Sequence, residues 1–191
     1  MENTNKVVVK DGIGHLDRVI TNVSLSTLDF WHSLGATPNT LTTLGLISSI
    51  LCLYFLYHKN AKLSVLFLIL RCYFDYSDGL LARKYRQTSE FGDWYDHIVD
   101  WSFTLGLFSV IYLKSENRLL HLSVLFLFST LFSIQMGCIE KEYKYHNDKE
   151  TSISKLRYIC NNPELMKFFD NGTLYVVMIV IIVIISNQNN K

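Results

Sequence analysis

The chain has 191 residues, enough for one domain and short for two. Its 18 basic and 17 acidic residues leave a net charge of +1, which excludes the basic footprint of a nucleic-acid-binding protein. Hydrophobic residues make up 49% and fall in long blocks, as in a polytopic membrane protein. No apolar core of about 7–15 residues precedes a cleavage site near the N-terminus, so no secretory signal peptide is expected.

In chain order, residues 1–20 are polar and mixed in charge and read as a loosely attached arm. From Ser24 to Leu34, the residues Leu25, Leu28, Phe30, Trp31 and Leu34 recur at mostly helical spacing, predicting an amphipathic helix in the membrane interface anchored by Trp31. Gly35 ends it. Pro38 pushes Thr37 out of the α region, and Asn39 and Thr40 are good capping residues for a new helix. Membrane segments are expected at Leu41 to Tyr57, Leu63 to Leu81, Asp96 to Leu113 and Leu119 to Ile139. A polar stretch follows, in which Tyr143, Tyr145 and Tyr158 alternate with lysines and suit either anionic headgroups or plain solvent. The last apolar run, Thr173 to Ile185, reaches spanning length if its helix starts near Pro163. The segment-four aromatics Phe126, Phe128 and Phe132 read as lipid or dimer contacts. Cys52, Cys72, Cys138 and Cys160 have no metal-like spacing and read as inert buried thiols.

The stretch RCYFDYSDGLLARKYRQTSEFGDWYDHIVD, residues 71–100, puts Asp75, Asp78, Asp96 and Asp100 within or beside two of these segments. A carboxylate at the centre of a membrane helix costs roughly 2.5–3.5 kcal/mol on insertion scales, so four of them need a shared reason. On a helix Asp75, Asp78 and Ala82 share a face with Gly79 and Arg83; Gly92, Asp96 and Asp100 share a face of the next. Two such faces turned together make an acidic cage, and a cage of oxygens suits Mg²⁺ or Mn²⁺ better than zinc. Arg71, one turn before Asp75, is placed to pair with it. Glu90 and Asp93 read as solvated loop charges, and His97 as an interfacial or supporting histidine.

The spacing D-x2-D-G-x2-A-R-x8-G-x3-D-x3-D, from Asp75 to Asp100, resembles at every fixed position the signature of the CDP-alcohol phosphotransferase (CDP-alcohol phosphatidyltransferase) family of membrane enzymes. The likeness is strongest over residues 71–100 and extends from about 28 to 140. It implies an all-α membrane bundle of six helices after an interfacial helix, often a homodimer. Five spans are countable here, six if the 140–172 region supplies a short helix. The division expected is residues 1–36 as arm and interfacial helix and 37–191 as the membrane domain.

By the same resemblance the chain takes a CDP-alcohol donor such as CDP-diacylglycerol or CDP-choline. It transfers a phosphatidyl or phospho-alcohol group to an acceptor hydroxyl and releases CMP. Asp75, Asp78, Asp96 and Asp100 would hold two Mg²⁺ or Mn²⁺ ions, and Asp100 would also be the general base. Pro38, Asn39, Thr40, Leu41, Gly79, Ala82, Arg83 and Ser89 would contact the donor, Arg83 as a phosphate fork, and Gly92 would allow tight packing. FGDWYDHIVD, with histidine after the third aspartate, is nearer the choline/ethanolamine branch.

Orientation follows from counting. With the motif loop in the cytosol, that side carries twelve Lys and Arg and the other side five, as the positive-inside rule requires. The rival readings are an intramembrane prenyltransferase-like enzyme, a divalent-cation channel and an inactive membrane scaffold. The first typically separates its two acidic motifs far more in sequence, the second needs a polar path across the bilayer, and the third has no need of all four aspartates in register.

Overall fold

In a computed structural model, residues 14–146, 158–160 and 162–188 are described. Those residues form helices and connecting turns, with no strand among them: α1 (His15–Ser33), α2 (Pro38–Tyr57), α3 (Ala61–Lys84), α4 (Glu90–Lys114), α5 (Arg118–His146), the single turn α6 (Pro163–Met166) and α7 (Asn171–Asn187). The chain is an all-α membrane protein. Among the described residues, three stretches are long and apolar enough to cross a bilayer: Pro38–Tyr57, Arg118–Ile139 and Glu164–Asn187. The expected second and third spans, α3 and α4, have ample length at 24 and 25 residues but carry the charged motif.

Local chemistry sets the helix ends. Thr37 is extended (φ −97°, ψ 164°) and caps α2 in a capping box with Thr40, with Pro38 in the first turn. Asn60 caps α3, Ser89 caps α4 and Asp170 caps α7. Inside the bundle Ser48 and Ser49 donate back to Leu44 and Gly45 at 2.8 Å, so their hydroxyls need no water. Helix α3 packs antiparallel to α2, and α7 lies against α3 and α5. Cys52, Leu68, Phe103, Leu107, Leu125 and Ile182 fill the centre. A Cβ at Gly106 would stand 2.5 Å from the Leu53 side chain, so α2 and α4 approach closely there. At the end away from the motif loop Gln188 closes the bundle, accepting from the Lys59 ammonium (3.0 Å) and the Glu116 amide (2.9 Å).

Helix α1 starts nine residues earlier than the Ser24 expected from the sequence. It has three faces. Asp17, Thr21, Ser24 and Leu28 are buried against the bundle, whereas Leu16, Val19, Val23, Phe30 and Leu34 form an exposed apolar stripe. His15, Arg18, Asn22, Ser26 and Asp29 occupy the third. A helix lying in the interface beside a bundle needs one face each for protein, lipid and water. Tyr73 of α3 pins it, its hydroxyl lying 2.5 Å from Thr27 Oγ1 and accepting from the Trp31 indole at 2.7 Å. Lower down, Asp29 accepts from Lys84 at 2.6 Å and from the Tyr85 hydroxyl, which together hold its carboxyl below the usual carboxylate range.

Three expectations need correction. Residues 15–20 are helical rather than part of a loose arm, because Asp17 is buried and bonded. No continuous helix runs from Pro163 to the end: α6 stops at Met166, and Asp170 caps a fresh helix by accepting from Thr173 N at 2.8 Å. Cys138 and Cys160 are not free thiols but a disulfide (Cα–Cα 4.9 Å), buried with Met166; Cys52 and Cys72 are the buried free thiols. Residues 147–157, where a further helix was considered, and residues 1–13 lie outside the described residues.

Candidate functional site

The site sits where α3 and α4 face one another. Register brings Asp75, Asp96 and Asp100 together, with one carboxylate oxygen of each within 4.8 Å of the others. Asp78, one turn beyond Asp75, turns toward α2, where the Thr42 hydroxyl donates to its Oδ2 at 2.6 Å. Both are buried. Three carboxylates this close repel one another in a low-dielectric setting, and a cation among them relieves that repulsion. Oxygen-only donors drawn from two rigid helices fit a hard divalent ion.

Beside the carboxylates opens a cleft lined by Pro38, Asn39, Thr42, Asp78, Gly79, Ala82, Arg83, Gln87, Thr88, Ser89, Gly92, Asp93 and Asp96. Small residues shape it. A Cβ at Gly92 would meet Ser89 Oγ at 3.0 Å and Asn39 Oδ1 at 3.1 Å, so glycine lets α4 come up to the start of α2. A Cβ at Gly79 would lie 3.2 Å from Arg83 Nη1, because the guanidinium folds back over this bare turn toward the cleft it lines. Ser89 lines the cleft and also caps α4, accepting from Gly92 N at 3.0 Å. Glu90 and Asp93, read from the sequence as loop charges, lie in the first turn of α4, where they complement its dipole, and Asp93 faces the cleft.

Of the residues expected to contact a donor, Pro38, Asn39, Gly79, Ala82, Arg83 and Ser89 line this cleft. Thr40 and Leu41 do not. Thr40 is committed to the cap with Thr37, and Leu41 is buried with Leu28, Leu80 and Leu81. Sequence reasoning missed Thr42, Gln87 and Thr88; for Thr42 the one signal was a hydroxyl a turn after Pro38, which is equally a helix-start residue. Arg71 bonds mainly across to Asp100, Nη2 to Oδ1 at 2.5 Å, and stands 3.9 Å from Asp75, its expected partner. His97 Nδ1 lies 3.9 Å from Asp96 Oδ2, beside the cage rather than in it.

An acidic cage between two helices, next to a cleft edged by Gly79 and Arg83, marks the centre of this all-α membrane protein. The chain belongs to the CDP-alcohol phosphatidyltransferase family, whose model matches residues 35–187. Among curated proteins it is 38% identical over 68 residues to an archaetidylinositol phosphate synthase of Pyrococcus horikoshii, a match covering 36% of each chain. It is 37% identical over 73 residues to an uncharacterized protein of Aquifex aeolicus, over 38% of this chain and 37% of that one. The match thus spans little more than a third of either relative. No solved structure matches the chain.

Proposed function

We propose that this protein is a phospholipid-synthesis enzyme that moves a phosphatidyl or phospho-alcohol group from a CDP-alcohol to an acceptor hydroxyl, releasing CMP. The observation that carries the reading is the convergence of Asp75, Asp96 and Asp100 beside a cleft lined by Asp78, Gly79, Ala82 and Arg83. Asp75, Asp78, Asp96 and Asp100 would hold two divalent ions, Mg²⁺ or Mn²⁺. When bound, such ions neutralise the charge that builds on a pyrophosphate as its bridging bond breaks.

The remaining work belongs to the chain. Arg83 forks onto a donor phosphate, with the bare backbone at Gly79 leaving the guanidinium room to lie along the helix. Asp100 takes the proton of the attacking hydroxyl as its oxygen bonds to the β-phosphorus, and the bond from that phosphorus to the CMP oxygen breaks. A carboxylate is a weak base at neutral pH, so holding hydroxyl, phosphorus and Asp100 in line supplies much of the rate. Thr42, through its bond to Asp78, fixes one wall of the cage to α2.

The motif loop faces the cytosol in this reading, where CDP-linked substrates are found. Twelve Lys and Arg of the sequence fall on that side and five on the other, which follows the positive-inside pattern. The test is CMP release by detergent-purified protein given CDP-diacylglycerol or CDP-choline, Mg²⁺ or Mn²⁺, and a panel of alcohols. The panel holds inositol, inositol phosphate, serine, glycerol-3-phosphate and diacylglycerol. Metal-dependent CMP with one pair supports the reading and names the substrates; no CMP from folded protein with any pair counts against it and favours an inactive relative.

A further inference from the structure

Arg71 stands outside the signature that carries the proposed reaction, yet it reaches an aspartate on each of the two motif helices. It lies one turn before Asp75 on α3 and is only 6% exposed. Its Nη2 donates to Asp100 Oδ1 at 2.5 Å, and Asp75 Oδ1 lies 3.9 Å away. Its Nη1 donates to the Tyr175 hydroxyl of α7, and the guanidinium lies over the Phe103 ring, 4.3 Å from its centroid. One side chain therefore joins an aspartate on each motif helix to the last helix of the bundle.

A guanidinium buried this deeply is costly in a membrane and needs a return. Neutralising the cage is a poor one: four carboxylates already balance two divalent ions, so an extra positive charge weakens metal binding. Geometry is a better return. Arg71 grips one oxygen of Asp100, while that side chain stays 41% exposed, so the carboxylate keeps room for a second partner. The rear is closed. Tyr175 and Phe103 hold the guanidinium from behind, so the carboxylate is fixed from a rigid wall rather than from a mobile side chain.

We propose that Arg71 is a positioning residue for the transfer, orienting the Asp100 carboxylate by one oxygen so that the other meets the acceptor hydroxyl, with Tyr175 locking the arginine in place. This rests on the reading of Asp100 as base. The test uses Arg71→Gln, Arg71→Lys and Tyr175→Phe in the full chain, with Mn²⁺ as the probe. Two readouts are taken: Mn²⁺ binding and its electron paramagnetic resonance spectrum, and kcat and donor KM from CMP release. In Arg71→Gln, Mn²⁺ affinity is expected to be kept or to tighten by up to about tenfold, because a nearby positive charge is gone. The Mn²⁺ spectrum should change, since Asp100 is no longer held.

For turnover in Arg71→Gln, kcat should fall by about 100-fold with donor KM within about threefold, the pattern of a group that acts in the transition state. Arg71→Lys should recover part of that loss, and Tyr175→Phe should cost about tenfold in kcat while sparing metal affinity. The proposal is overturned by an Arg71→Gln protein with wild-type kcat, by an unchanged Mn²⁺ spectrum, or by Mn²⁺ affinity falling in step with kcat. The last result, or failure of both Arg71 variants to fold while Tyr175→Phe is fully active, makes Arg71 a structural counter-ion. If the wild type makes no CMP, the function fails, and the Mn²⁺ spectra of the same variants still decide whether Arg71 holds Asp100.

Discussion

Replacing Gly172 with alanine strikes the joint between α1 and α7. There the two helix starts cap one another. Asp170 Oδ2 accepts from the amides of Leu16 (2.8 Å) and Asp17 (3.0 Å), and Asp17 Oδ1 accepts from Gly172 N (2.8 Å) and from the Tyr76 hydroxyl. A Cβ on Gly172 would lie 2.5 Å from Leu16 Cβ, 3.2 Å from Leu16 C and 3.3 Å from Asp17 N. Carbon atoms rest at about 3.5–4.0 Å, so the helices must part by about 1 Å. That distance takes a 2.8 Å bond out of hydrogen-bonding range.

Overpacking costs about 1–3 kcal/mol and each carboxylate-to-amide bond lost about 1.5–3 kcal/mol, against a gain of about 0.5–1 kcal/mol from alanine in a helix. With one such bond lost, a net cost of about 2–5 kcal/mol corresponds to a fall in Tm of roughly 10 °C for a chain of this size. A thiol-reactive dye suits the assay, because Cys52 and Cys72 are free and buried until unfolding. Gly45→Ala is the control: its Cβ would meet only Phe74 Cβ, at 3.7 Å, and its Tm should hold or rise. A Gly172→Ala protein melting within 2 °C or so of wild type, or a Gly45→Ala protein falling as far, refutes the reasoning.

Other consequences reach the same joint and the site. Burial pushes the Asp17 carboxyl up to about 6 from 3.8, so the folded state favours its protonated form. Stability from this group is full below 3.8 and is lost as pH rises toward about 6, by up to about 3 kcal/mol. The Tm should therefore fall between pH 4.5 and 6.5, and Asp17→Asn, which still accepts from Gly172, should flatten that slope; an unchanged slope in the variant speaks against Asp17. Thr42→Val removes the donor to Asp78 at nearly constant volume and should weaken Mn²⁺ binding about 10–100-fold, read by titration; wild-type affinity would detach Thr42 from the cage. Arg83→Ala should raise donor KM about tenfold or more with Mn²⁺ affinity little changed, and an unaltered KM would end its assignment as the phosphate fork.

What the sequence made legible were features with short periods. The i, i+3, i+4 spacing of Asp75, Asp78 and Gly79, and the i, i+4, i+8 spacing of Gly92, Asp96 and Asp100, fix two faces whatever the rest does, and the helices do turn them together. Thr37 and Pro38 told where α2 starts for the same local reason. The misses are contacts between residues far apart in sequence. Asp17 and Asp170 each look like an ordinary helix-start acid, and nothing in either neighbourhood says that they share a joint across 153 positions. Arg71 has a suitable local partner in Asp75, but helix packing offers it Asp100 at shorter range. Cys138 and Cys160 pair because α5 and the segment before α6 fold onto Met166 and Phe169, a proximity their spacing does not encode.

The most direct test of the four-aspartate site is CMP formation by chelator-stripped protein as Mg²⁺ or Mn²⁺ is restored, in wild type beside Asp100→Asn. Wild type should be silent without metal and recover with it, while Asp100→Asn should bind the CDP donor yet release no CMP at any metal concentration. CMP release by stripped wild type, or sustained turnover by Asp100→Asn, would contradict a metal-dependent transfer with Asp100 as its base.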